Sequence, residues 1–73
     1  MELKDYLDSW RVADKDIIER FNKGITSNLI HNLTTMCVSD ETLFNYVIDV
    51  LSKHDKQKAE IIIHEVMCNL AGV

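Results

Sequence analysis

Apolar residues along this chain recur at intervals of three and four, the spacing that lines one face of an α-helix. Leu3, Tyr6, Leu7 and Trp10 share such a face, with Lys4, Asp5, Asp8 and Arg11 turned outward. This predicts a first helix with a narrow apolar stripe that docks onto something else. Ile17, Ile18 and Phe21 follow at helical spacing after Asp14, whose carboxylate can accept backbone N–H bonds as an N-cap. Asp16 with Arg20 and Glu19 with Lys23 are acid-first i,i+4 pairs, so that side of the helix is expected to face water.

Gly24 is the first strong backbone signal. The steps Ile17, Phe21, Ile25, Leu29, Leu33 run straight across it, which allows one helix from about residue 15 to residue 38. A break at Gly24, with recapping by Thr26 or Ser27, is slightly preferred because glycine suits a left-handed C-terminal position. From Gly24 to Ser39 there is no Asp, Glu, Lys or Arg. A solvent-facing helix usually carries such residues, so this segment is expected to be covered on most sides, by the core or by a partner.

Ser39, Asp40 and Glu41 restart the chain, the two acids favouring the positive end of a helix dipole. In the next helix Leu43, Phe44, Tyr46, Val47, Ile48, Val50 and Leu51 occupy about 200° of the circumference, wider than the stripe of an ordinary surface helix. One side is therefore read as more than a single subunit needs. Asp55 can cap a last helix whose Ala59, Ile62, Ile63, Val66, Met67 and Leu70 form a continuous face, with Ile61, His64 and Cys68 opposite. Three consecutive isoleucines favour a strand locally, but their surroundings keep the helical period. Gly72 ends the helix.

The pattern thus predicts an all-α fold, a compact bundle of four or five short helices, with residues 1–73 forming a single domain. The absence of proline and the presence of only two glycines exclude long extended linkers. A composition of 47% hydrophobic and 27% charged residues excludes disordered or fibrous classes. A domain of this size buries only about 60% of its unfolded surface and commonly needs a disulfide, a metal or self-association. Cys37 and Cys68 form at most one bridge. The first residues lack a signal-peptide apolar run, so a reducing cytoplasmic setting with free thiols is expected. No apolar run approaches the roughly 20 residues of a membrane span.

Twelve acids against eight bases give a thin, dispersed net charge of −4. The only basic concentration is Lys53, Lys56 and Lys58, interrupted by Asp55 and followed by Glu60, which disfavours direct nucleic-acid binding. No catalytic or cofactor motif stands out. His64 and Cys68 have a spacing that a transition metal can bridge, but a structural zinc site takes four ligands. His31, Cys37 and His54 supply no paired spacing, so no metal or cofactor is expected. Histidines and cysteines are available for nucleophilic chemistry, yet nothing fixes their geometry, and so small a chain has little volume for a closed pocket.

These features predict a non-enzymatic protein–protein interaction module, an adaptor or inhibitor of a partner protein, acting as a homodimer. Trp10, Leu29, Asn32, Phe44, Tyr46, Ile48, Ile61 and Cys68 are the candidate interface residues. Asn28 and Asn32, one turn apart in the uncharged segment, offer cross-helix hydrogen bonds that would set register in a symmetric pair. The alternatives are a small nucleic-acid-associated regulator using the Lys53, Lys56, Lys58 turn and, as a biological version of the first reading, a phage or mobile-element inhibitor of a host protein.

Overall fold

The computed structural model describes residues 2–72, and the helices among them are α1 (Leu3–Asp8), α2 (Asp14–Asn22), α3 (Ser27–Ser39), α4 (Glu41–His54) and α5 (Lys56–Ala71). The described residues contain no strand, so the fold is all-α. Its radius of gyration is 11.4 Å, against about 11 Å for a compact globule of this length.

The chain breaks at Gly24. Its φ of +123° lies where an L side chain is strained, although a Cβ there would meet no atom within 4 Å, so conformation rather than space requires the glycine. Thr26 then caps α3, its hydroxyl oxygen accepting from the Leu29 N–H at 3.1 Å. Asp40 caps α4 through the Leu43 N–H and Asp55 caps α5 through the Lys58 N–H, each at 3.1 Å. Gly72, in the left-handed conformation at φ +75°, terminates α5. Tight two-way junctions result, since Asp40 and Asp55 each end one helix and begin the next.

Two expected helix starts and ends differ. Asp14 is not the N-cap of α2: Ala13 occupies that position without a side-chain bond, and the Asp14 carboxylate accepts instead from the Tyr46 hydroxyl on α4. The first helix stops at Asp8, short of Trp10, because the Ser9 hydroxyl donates to the Tyr6 carbonyl while the following N–H groups tighten onto carbonyls three residues back. Trp10 nevertheless does what the stripe requires. It is 3% exposed, its ring centroid lies 5.6 Å from that of Phe21, and the Arg20 guanidinium stands over its ring at 4.8 Å. Arg20 is thus drawn to Trp10, and neither Asp16–Arg20 nor Glu19–Lys23 closes as an ion pair among the described residues.

α4 is the hub, packed against α2, α3 and α5, while α3 and α5 also pack on each other. Three neighbours cover a wide arc, and Leu43, Phe44, Val47, Ile48, Val50 and Leu51 are all buried. The surplus expected on this helix is absent: one chain covers everything but Tyr46. The charge-free segment is only partly covered. Ile30, Leu33 and Met36 enter the core, whereas Asn28, His31 and Val38 are exposed. α5 buries Ala59, Ile62 and Val66; Met67 and Leu70, expected on the same face, stay outside. Among the described residues no polar or charged side chain is buried.

Candidate interaction surface

The candidate interface residues separate into three groups. Trp10, Phe44 and Ile48 are core residues, 3%, 4% and 8% exposed, and offer almost nothing to a partner. Their apolar bulk is consumed by neighbouring helices, which spacing along one helix does not reveal. Leu29, Asn32 and Cys68 are half-buried. Tyr46 and Ile61 are exposed, at 43% and 49%. The structure therefore does not gather the eight into one surface.

The exposed apolar side chains on α5 are Ile61, Met67 and Leu70. At 100° per residue Met67 and Leu70 lie on one flank of the buried stripe and Ile61 on the other. Sequence reasoning missed Met67 and Leu70 because their periodicity matches Ile62 and Val66. Exposed Ile25 and Val38, at the two ends of the α3 region, were also missed.

Between α3 and α5 runs a groove of about 840 Å³, open to solvent. Ile30, His31 and Thr34 form one wall, and Ile61, Glu65 and Asn69, each one turn apart, form the other. The Asn69 side-chain amide donates to the Thr34 hydroxyl oxygen at 3.3 Å and ties the walls together at one end. Ile25 stands at the other. The groove is open to solvent, so it is not the closed pocket for which so short a chain was expected to have little volume. His31 and Glu65 are its titratable groups, and no hydrogen bond or ion pair joins them among the described residues.

Burial, helped by the Glu41 carboxylate, pushes the Cys37 thiol up from its ordinary value, which lowers its thiolate fraction. Tyr46 is raised by its hydrogen bond to Asp14, then by desolvation and by the Asp14 charge. Tyr6 is raised by burial, opposed by the nearby Trp10 indole N–H and by the Arg20 charge. The Tyr6 hydroxyl and the Trp10 N–H are buried without a hydrogen bond of good geometry, a cost accepted inside an otherwise apolar cluster.

The basic turn is loosely built. Lys53 pairs with Asp49 at 3.1 Å, and Lys58 is half-buried beside the Asp55 cap, so the three lysines do not form a free cationic row. On α5 the Cys68 Sγ lies 3.6 Å from the His64 Nε2 at the surface. Among the described residues no group of three His, Cys, Asp or Glu side chains is arranged to hold a metal, and no helix is long and apolar enough to cross a membrane. Comparison with protein-family models, curated proteins and solved structures returns no match to this chain.

Proposed function

We propose that the chain is a non-enzymatic protein–protein interaction module that works as a homodimer and serves as an adaptor or inhibitor of a partner protein. The observation that carries this reading is the apolar surface that α5 leaves in water on both flanks of its buried stripe, Met67 and Leu70 on one and Ile61 on the other, each 45% to 49% exposed. Large apolar side chains left in water on an edge helix are the residues that gain most from contact with another polypeptide.

Light scattering on the reduced chain across the micromolar range tests the reading. The expected species is near twice 8.4 kDa at the upper end, falling toward one chain on dilution. A mass of one chain throughout contradicts the homodimer.

A further inference from the structure

We propose that the stretch from Leu3 to Arg11 is a strap that opens as one unit from a bundle that stays folded, carrying Trp10 out of the core and uncovering Phe21. The device belongs to the single chain and operates with or without pairing.

The bonds of the strap are almost all its own. The backbone N–H groups of Tyr6, Trp10 and Arg11 donate to the carbonyls of Glu2, Leu7 and Asp8, and Ser9 bonds back to Asp5 and Tyr6. Tyr6 meets Trp10 edge-on with ring centroids 6.5 Å apart, and the Arg11 guanidinium lies 3.5 Å from the Asp8 carboxylate. All of these contacts travel with the strap. No residue of α1 is buried, and α1 has no part in the main packing of α2 on α4 or of α3, α4 and α5 on one another. A piece rich in internal contacts and poor in external ones separates as a cooperative unit.

Few contacts hold it down. Tyr6 and Leu7 rest half-buried against the core, Trp10 lies on Phe21 under the Arg20 guanidinium, and Arg11 reaches the Asp40 carboxylate at 2.8 Å. Only Trp10 is deeply seated. The Arg11 side of the ion pair is exposed, where such pairs contribute little. Opening also returns interactions to the chain. The Tyr6 hydroxyl and the Trp10 indole N–H are both buried without a bonded partner, and each gains water as the strap lifts. Arg20 is released toward Asp16, the acid-first i,i+4 partner with which it makes no ion pair in the closed chain. Val12 and Ala13, non-helical residues between the strap and α2, take up the change of backbone angle. The open chain therefore presents the stripe of Leu3, Tyr6, Leu7 and Trp10 together with a bare Phe21 ring, apolar surface that the closed chain hides.

Hydrogen exchange of the dilute full chain tests the proposal, read by NMR at the backbone amides and at the indole N–H of Trp10, the single tryptophan. The Tyr6, Ser9, Trp10 and Arg11 amides and the indole N–H are expected to share one opening constant, at least about a hundredfold larger than that of the Val47 and Leu51 amides in α4. Arg11→Gln should raise the shared constant by up to about fivefold, and Tyr6→Phe should lower it about tenfold. Ile62→Val, at a fully buried position on α5, should raise the α4 constant by roughly threefold to tenfold and leave that of the strap unmoved. An indole N–H as protected as the α4 amides overturns the proposal, because Trp10 then stays seated while the backbone beside it frays. A strap constant that follows α4 in Ile62→Val overturns it as well, since the strap then opens only when the whole chain unfolds.

Discussion

α4 and α5 follow one another, have 14 and 16 residues and are both rich in apolar side chains, yet α4 buries six of them and α5 three. The difference comes from neighbours rather than composition. α4 is enclosed by α2, α3 and α5, so its wide apolar arc is used except at Tyr46; α5 packs mainly against α3 and α4 and keeps one side in water. Surplus apolar surface in a small bundle therefore belongs to the helix at the edge, even when the central helix has the broader stripe.

Truncations should separate the two helices most sharply. Leu51→Ala on α4 and Ile62→Ala on the inner side of α5, both at fully buried positions, are each expected to cost about 2 to 5 kcal/mol. Met67→Ala and Leu70→Ala, on the outer side, should stay within about 0.5 kcal/mol under conditions where the chain is single. Urea unfolding at low concentration measures all four. A Met67→Ala cost equal to that of Ile62→Ala would mean that α5 is covered on both sides.

The caps give the next largest effect. Asp40→Ala removes the acceptor for the Leu43 N–H and also the 2.8 Å bond from Arg11, and should cost about 1 to 2 kcal/mol. Asp55→Ala removes only the cap of α5 and should cost about 1 kcal/mol. Thermal melts of the two variants that coincide would show that the Arg11 bond contributes nothing.

What could be read from the sequence was what neighbouring residues decide. The all-α class, the break at Gly24, Thr26 as a cap, and the Asp40 and Asp55 junctions depend on backbone preferences within a turn or two, and the residues state them. The end of α1 is set locally by the Ser9 bond to the Tyr6 carbonyl, but the other misplacements depend on partners distant in sequence. Asp14 reads as a cap until Tyr46, thirty-two residues away, takes its carboxylate; Asp16 and Arg20 read as a pair until Trp10 takes the guanidinium. The interface candidates divide between core and surface for the same reason. Trp10, Phe44 and Ile48 are large and apolar, but whether such a residue is core or contact depends on what the rest of the chain places above it. Ile61 was legible because it lies opposite the buried face of its own helix; Met67 and Leu70 were not, because they continue it.

Tyrosine titration distinguishes the inside from the outside by cause. Both Tyr6 and Tyr46 should ionise above the ordinary value near 10 when followed by phenolate absorbance. With a folded-state pKa above the unfolded one, each stabilises the fold fully below about pH 10 and loses that contribution as pH rises through the folded value. Asp14→Asn should lower the Tyr46 pKa and leave Tyr6 unmoved, since burial governs Tyr6. Equal movement of the two would contradict the separate causes.

Backbone amide and methyl resonances followed through a dilution series test most directly whether the outer side of α5 is a contact surface. The expected concentration-dependent shifts fall on Ile61, His64, Met67 and Cys68 and vanish in Ile61→Lys, with α4 unchanged. Shifts that fall elsewhere, or spectra identical at every concentration, would contradict it.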